Sequence, residues 1–236
     1  MQPYILPYIG YFQLISSVDV FVLYDEVKYT KKGWINRNRF LLNGKAEVFT
    51  VPLAKGSDSA TVNEKRIVPD YDGQSVLRQL EAAYSKAPHF KAGFSLAEKC
   101  LAQDEKNLFR YLNESIRAVC DYLNISTKIV ISSEVESHPA KHGQDRVISL
   151  CKDLKATTYI NPMGGEELYS GPEFRKNGME LVFLSPNIAT YSQFQEPFAP
   201  RLSIVDVLMF LSRETAANEV KKYELISIKD DNDRAG

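Results

Sequence analysis

The chain has 236 residues, and 29 Lys and Arg against 30 Asp and Glu give it a formal net charge of -1. This balance argues against a protein that coats nucleic acids, which would be strongly basic. No apolar run approaches the roughly 18 residues of a membrane-spanning helix, and the N-terminus lacks the basic and apolar regions of a secretory signal.

The opening of the chain combines a proline-rich loop, a buried strand and a hairpin. Pro3 and Pro7 exclude a regular helix at the very start. The near-continuous apolar run 18–25 predicts a buried strand. An Asn-Gly dipeptide between two apolar runs then predicts a β-hairpin near 37–52.

The middle of the chain changes to a helical pattern. Residues 73–123 place apolar side chains at the three- and four-residue spacing of amphipathic helices, so a helical insertion is predicted there. Strands and helices then alternate, with predicted strands at 128–132, 157–161 and 180–184. This alternation is typical of a parallel sheet with right-handed crossovers.

The chain is predicted to end in two helices and a flexible tail. Ser203 and Asp206 resemble a capping box at the start of one helix, and a second helix is predicted over 214–225. The polar tail 227–236 has no apolar anchor. The predicted architecture is a single α/β domain over 1–226, with a mainly parallel open sheet, flanking helices, the hairpin and the helical insertion.

The segment 27–46 is unusual in a chain with almost no net charge. It contains six Lys or Arg side chains and no acid, with aromatic residues between them. Guanidinium and ammonium groups bind phosphate, and an indole ring stacks on a base or a sugar. An equally favoured alternative is a solvated hairpin with basic outward positions. The candidate binding residues are Lys31, Trp34, Asn36, Arg37 and Arg39.

Polar residues follow the predicted strands, at the sheet edge where open α/β folds bind ligands. Asp25 ends the first strand and Asn161 ends another, although polar residues there are also ordinary loop chemistry. Gly164 and Gly165 allow a ligand to approach the backbone closely, or form a plain turn. Further candidates from the opening loop and a later loop are Gln2, Tyr4, Tyr11 and Tyr169.

Two side chains are candidates for a general base. His142 directly precedes a predicted helix, whose dipole favours the neutral imidazole that a base requires. Asp25 is the alternative, and an inert surface loop is the competing interpretation of His138 and His142. A metal site lacks a third ligand. The three cysteines lie on apolar helical faces and are predicted to be reduced core residues.

Several stretches resemble the WbqC-like protein family. QPYILPYIGYF and WINRNR are specific to it, and RVISLCKDLKATTYINPMGGEELY and RLSIVDVLMF are similar to it further on. The resemblance extends to about residue 226. It implies a bacterial protein linked with surface-polysaccharide, especially O-antigen, biosynthesis, and acyl or aminoacyl transfer onto amino sugars.

The start of the chain departs from the family pattern. Family members usually have a short apolar strand before the Gln-Pro dipeptide, whereas only Met1 precedes Gln2 here. We therefore expect either a start upstream of Met1 or a sheet without that strand. The opening loop around Gln2 and Tyr4 is then expected to be less rigidly held.

The residues and the resemblance together predict a soluble, cytoplasmic transferase that modifies a nucleotide-activated amino sugar. The acyl donor is expected to be a carrier-protein thioester or an activated amino acid, and an acyl carrier protein is the candidate partner. We expect no tightly bound cofactor, no metal, no nucleic-acid partner and no membrane insertion. Two alternatives stay open: a nucleotide-binding or nucleotidyl-transfer enzyme, and a non-catalytic module that binds a glycan precursor.

Overall fold

The computed structural model describes residues 1–135 and 143–227, which contain both helices and strands. In chain order they are α1 (Ile9–Ser16), β1 (Val20–Leu23), β2 (Arg37–Leu42), β3 (Lys45–Thr50), α2 (Gln74–Tyr84), α3 (Phe90–Leu101), α4 (Leu108–Tyr122), β4 (Lys128–Ile131), α5 (Gly143–Asp153), β5 (Thr158–Pro162), α6 (Gly171–Lys176), β6 (Glu180–Pro186), α7 (Ile204–Phe210), α8 (Arg213–Glu219) and β7 (Tyr223–Ser227). Short 3-10 turns lie at Val62–Glu64, Ser132–Glu134 and Glu166–Leu168. The predicted mixed α/β class is confirmed.

The strands form two small sheets and a hairpin. β1 pairs in parallel with β4, and β5 pairs in parallel with β6. β7 adds to β6 in the antiparallel direction, and β2 and β3 form the predicted hairpin. The four predicted parallel strands therefore exist, but they pair two by two.

Met1 lies along β1 and directs the opening loop. Its amino group donates to the carbonyl of Val22 at 2.5 Å, and its carbonyl accepts from the amide of Tyr24 at 2.9 Å. Donation to one residue and acceptance from the residue two further on is the parallel-ladder pattern. Gln2, the next residue, therefore lies beside the carboxyl end of β1.

The opening loop is held firmly, so the expectation of a loosely held loop is wrong. The Asn38 amide is buried and donates to the carbonyls of Ile5 and Leu6 at 2.9 and 2.7 Å. The Ser203 hydroxyl also donates to the carbonyl of Leu6, at 2.8 Å. Side chains that are distant in sequence thus provide the hydrogen bonds that the backbone carbonyls of the loop need. A neighbouring strand is not needed to provide them.

The helices α2, α3, α4 and α7 pack around the main apolar core, to which the hairpin also contributes. Asn107 caps α4, because its side-chain oxygen accepts from the amide of Arg110 at 3.1 Å. Ser203 caps α7 as predicted. Among the described residues, no helix is both long enough and apolar enough to cross a bilayer.

The second helix predicted near the C-terminus is wrong beyond Glu219. α8 ends there, and residues Tyr223–Ser227 form β7 instead. β6 has an open edge from Val182 to Pro186, and β7 pairs with it there in a full antiparallel ladder. This tertiary pairing outweighs the local helix preference of the segment.

Candidate functional site

Asp25 lies at the carboxyl edge of β1 and joins three segments. It is 4% exposed. One carboxylate oxygen accepts from the Ser132 hydroxyl (2.8 Å) and the Ser133 amide (3.1 Å). The other accepts from the Ser133 hydroxyl (2.7 Å) and the Asn63 amide group (3.0 Å). Because a carboxylate has about four acceptor sites, these four donors occupy it.

The protonation state of Asp25 follows from this geometry. Burial alone raises the pKa of the carboxyl, but the hydrogen bonds from Ser133 and Ser132 outweigh it and hold the pKa below its ordinary value. Asp25 is therefore a fixed anion that links the ends of β1 and β4. The geometry favours a positioning role for Asp25 over that of a general base.

An open cleft of about 550 Å³ lies beside Asp25. Its lining comes from the ends of β1 and β4, the turn at Val62–Glu64 and the first half of α4. The lining residues are Asp25, Glu26, Thr61, Asn63, Glu64, Asn107, Phe109, Arg110, Asn113, Ile131, Ser133 and Glu134. Four of them are acids and one is an arginine, so the cleft is negatively charged.

Two charged side chains of this cleft are free to bind a ligand. Glu134 and the Arg110 guanidinium form no hydrogen bond or ion pair within residues 1–135 and 143–227. Glu64, in contrast, accepts from the amide of Thr61 at 2.9 Å. Sequence analysis missed Arg110 and Glu134, because they come from a helix and a turn that only the tertiary fold brings to Asp25.

A cluster of tyrosines lies at the ends of β1 and β5. The Tyr159 hydroxyl is 3.3 Å from both the Asn161 side-chain oxygen and the Tyr169 hydroxyl. Burial raises the pKa of Tyr24 above its ordinary value, and the nearby Tyr169 adds to this effect. Asn161 and Tyr169, both predicted from the sequence, are thus brought together, while Tyr24 and Tyr159 were not predicted.

Arg146 connects the tyrosine cluster to the cleft. Its guanidinium lies over the ring of Tyr24, 5.7 Å from the centroid. It also forms an ion pair with Glu26 at 2.5 Å, and Glu26 lines the cleft. The tyrosine cluster and the cleft therefore adjoin at the end of β1.

The two glycines after β5 have different roles. Gly165 packs so closely on Asn161 that a Cβ there would overlap the side-chain nitrogen of Asn161. The amide of Gly165 donates to the carbonyl of Pro162 at 3.3 Å. Gly164 is exposed and has φ +96, a value that favours glycine.

The predicted basic residues form a separate group on the hairpin. Arg37 and Arg39 lie against the ring of Trp34, and Arg37 also donates to the carbonyl of Gly33 at 2.8 Å. Lys31 stands apart in an ion pair with Asp58. The structure therefore divides the predicted site residues between the carboxyl edge of β1 and the hairpin.

Several predicted residues brace the loops around these two groups. The buried Asn36 donates to the carbonyl of Val51 at 2.8 Å and accepts from the Tyr29 hydroxyl at 2.9 Å. The buried Tyr11 donates to the carbonyl of Gln2 at 3.1 Å, and the Tyr4 hydroxyl accepts from the amide of the residue four positions later. Gln2 itself is exposed.

The remaining candidates concern nucleophiles, bases and metals. Burial raises the pKa of Cys100 and Cys120 to about 12 and that of Cys151 to about 11, so none is a ready thiolate. His138 and His142 lie outside the described residues, and the role of His142 stays a prediction. Within residues 1–135 and 143–227, no group of three His, Cys, Asp or Glu side chains is placed to hold a metal ion.

Comparison with known proteins extends the resemblance over most of the chain. The sequence model of the WbqC-like protein family matches residues 2–218. The chain is 32% identical over 226 residues to the uncharacterized protein Rv1507c of Mycobacterium tuberculosis (strain ATCC 25618 / H37Rv). That alignment covers 91% of this chain and 93% of the mycobacterial protein. No solved structure matches the chain.

Proposed function

This chain belongs to the WbqC-like protein family, and we propose that it transfers an acyl group to the amine of a nucleotide-activated amino sugar in surface-polysaccharide biosynthesis. The position and charge of the cleft beside Asp25 support this most. The cleft opens at the carboxyl edge of two parallel strands, the edge at which open α/β folds bind substrates. Its excess of acids attracts a cationic amine.

The free groups of the cleft fit an amine-bearing sugar ring. Glu134 offers an unpaired carboxylate to the ammonium, and the Arg110 guanidinium offers donors to ring hydroxyls. The Asn113 side-chain oxygen accepts from Arg117 at 3.0 Å, which leaves its amide hydrogens for a ligand. Asp25 holds the two walls of the cleft in place through Ser133 and Asn63.

The reaction requires a base, because only an unprotonated amine attacks an acyl carbon. Asp25 is unsuited, since its acceptor sites are occupied and its pKa is low. We assign the role to His142, which directly precedes α5, the helix whose Arg146 pairs with Glu26 at the cleft. His142 first takes a proton from the ammonium. The freed amine nitrogen then bonds to the acyl carbon, the bond to the leaving group breaks, and the leaving group takes the second proton of the nitrogen.

The acyl donor in this proposal is a carrier-protein thioester or an activated amino acid. The negative charge that develops on the acyl oxygen needs a hydrogen-bond donor. The amide of Gly165 is already engaged with Pro162. The exposed Gly164 is therefore the stronger candidate of the two.

The proposal is tested by mass spectrometry of reactions that contain the purified protein, an amine-bearing nucleotide sugar and an acyl thioester or activated amino acid. We expect a product heavier by the acyl group, and none from the matching N-acetylated sugar. Replacement of Glu134 by Gln is expected to raise KM for the sugar by roughly tenfold, as for a lost charged hydrogen bond. The control Glu114→Gln changes an exposed acid of α4 that does not line the cleft.

His142→Asn is expected to lower turnover by roughly 100-fold with little change in KM, the size of a general-base effect. If the protein binds nucleotide sugars but forms no acylated product with any donor, the enzyme proposal fails. The module that binds a glycan precursor is then the correct interpretation.

A further inference from the structure

β7 is the outer strand of the sheet that it forms with β5 and β6, and its apolar side chains are exposed. The strand order is β5-β6-β7, and among residues 1–135 and 143–227 only β6 pairs with β7. Leu225 and Ile226 are 49% and 42% exposed. Tyr223, at the start of the strand, packs against the main core and anchors β7 to the rest of the fold. An exposed apolar edge strand is a template on which another strand can pair.

The backbone groups of three β7 residues point toward this open edge. The carbonyl of Leu184 in β6 accepts from the amide of Met163 at 3.0 Å, so the backbone groups of Leu184 face β5. Leu184 lies opposite Leu225 in the β6–β7 ladder. Because the hydrogen-bonding direction alternates along a strand, the N–H and C=O groups of Leu225 point away from β6. Those of Tyr223 and Ser227, two residues away on either side, point the same way.

The charges on either side of β7 favour an antiparallel partner with the same sequence. Lys221 and Lys222 precede the strand, and Glu219 pairs with the second of them. Residues 229–233, which follow the strand, contain three Asp and one Lys. An antiparallel pair of two copies brings the basic end of one strand beside the acidic end of the other, whereas a parallel pair would bring like charges together. These charges therefore fit a second copy of the chain.

We propose that the chain forms a homodimer in which two β7 strands pair in the antiparallel direction around a two-fold axis at Leu225. Leu225 then lies opposite its own copy, and Tyr223 lies opposite the partner's Ser227. Every residue whose backbone points outward is thereby paired, with two hydrogen bonds in each of three residue pairs. A register centred on Glu224 would set two carboxylates opposite each other, which is unfavourable. This inference concerns assembly and does not depend on the proposed reaction.

The dimer joins the two three-stranded sheets into one continuous sheet and covers the apolar side chains of both copies. A single ladder of this length is small beside the roughly 1,600 Å² of a standard interface, so we expect a reversible dimer. Sedimentation equilibrium over a range of protein concentrations should show monomer and dimer in exchange. A chain that is monomeric at every concentration would overturn the proposal.

The two-fold axis makes position 225 its own neighbour, which allows a test by charge exchange. Leu225→Lys and Leu225→Glu each set like charges opposite each other, and we expect each variant alone to dimerise at least about tenfold more weakly. An equimolar mixture should recover the dimer, because Lys then faces Glu. The residue is exposed, so the circular dichroism spectrum should stay unchanged.

The matched control is Val48→Lys, which changes another exposed apolar side chain, on β3, and should leave the dimer unchanged. Dimers that persist in both variants of position 225 would refute the assignment, and so would a mixture that stays monomeric.

A truncation after Ile228 distinguishes a second copy from the acidic segment itself as the occupant of the edge. We expect the truncated chain to dimerise more weakly than the full chain, because it lacks the complementary acidic side chains. A full chain that is monomeric and a truncated chain that dimerises would mean that residues 229–236 occupy the edge of β7. That result would contradict the proposed dimer.

Discussion

Two buried aspartates of this fold have opposite electrostatic behaviour. Asp25 accepts four hydrogen bonds at the edge of the cleft, and its pKa is held below the ordinary value. Asp206 is 0% exposed in the main core. It accepts from the hydroxyls of Tyr84 (2.8 Å) and Tyr191 (2.6 Å) and from the Gln193 amide group (2.8 Å). Burial nevertheless raises its pKa, and the three hydrogen bonds only reduce that shift.

The difference shows which term decides the charge of a buried carboxyl. Removal from water disfavours the anion in both places. At Asp25 the two serines and a backbone amide more than offset that cost, whereas at Asp206 the more complete burial prevails. The carboxyl at the candidate site, Asp25, is therefore ionised. The carboxyl of Asp206, whose ionisation is disfavoured, connects α7 to α2 and to the segment before α7.

The largest expected effect is on stability at Asp206. Asp206→Ala leaves the hydroxyls of Tyr84 and Tyr191 without their carboxylate acceptor at a position that is 0% exposed, whereas the Gln193 amide group keeps the carbonyl of Ala199. We expect the free energy of unfolding to fall by about 3 kcal/mol or more, since each buried orphaned group costs about 1–3 kcal/mol. Urea unfolding measures this, with exposed Asp70→Ala as the control. A loss below about 1 kcal/mol would show that water replaces the carboxyl easily.

Asp25→Ala is expected to destabilise less, by about 2 kcal/mol. It also orphans serine and asparagine donors, but the adjoining cleft lets water reach them. The same variant should weaken binding of an amine-bearing nucleotide sugar, because the walls of the cleft lose their link. A destabilisation equal to that of Asp206→Ala would contradict the view that solvent access separates the two sites.

The opposite pKa shifts predict opposite pH dependences. The folded pKa of Asp25 is lowered, so its ionised form stabilises the protein above the unfolded value of about 4, and this contribution is lost as the pH falls through the folded pKa. The folded pKa of Asp206 is raised, so its contribution is full below about pH 4 and is lost as the pH rises through the folded pKa.

Unfolding free energies of the wild type, Asp25→Asn and Asp206→Asn between pH 3 and pH 7 test these signs. The gap between wild type and Asp25→Asn should shrink on acidification below about pH 4. The gap between wild type and Asp206→Asn should grow as the pH is lowered toward about 4 from above. Parallel curves for the two variants would remove the electrostatic distinction between the sites.

The two aspartates also differ in how far the sequence predicts them. Asp25 follows an apolar run, so its place at a strand end is visible in the sequence. Asp206 stands three residues after Ser203, and the spacing suggests a capping box. In the structure its carboxyl instead accepts hydrogen bonds from tyrosines of α2 and of the segment before α7. These partners, which are distant in sequence, take the place of the local cap.

The same limit applies to the candidate site. Local patterns in the sequence predict the hairpin, the parallel strands and the burial of the three cysteines in the core. They do not predict the places of Arg110 and Glu134, because each comes to the cleft beside Asp25 only through the packing of α4 and the end of β4. Periodicity predicts which elements form, but it does not predict which loops meet.

The smallest expected effect concerns a third aspartate, Asp58, whose pKa is also lowered, in this case by the hydrogen bond and charge of Lys31. Its side chain is 78% exposed, and that of Lys31 is 72% exposed. Water and salt screen such a pair, and fixing two mobile side chains costs entropy. We therefore expect Asp58→Ala and Lys31→Ala to leave the urea midpoint unchanged within error, at low and at high salt. A clear loss of stability in either variant, similar to that of Asp25→Ala, would mean that the direction of a pKa shift predicts stability whether the carboxyl is buried or exposed. The comparison of Asp25 with Asp206 contradicts that view.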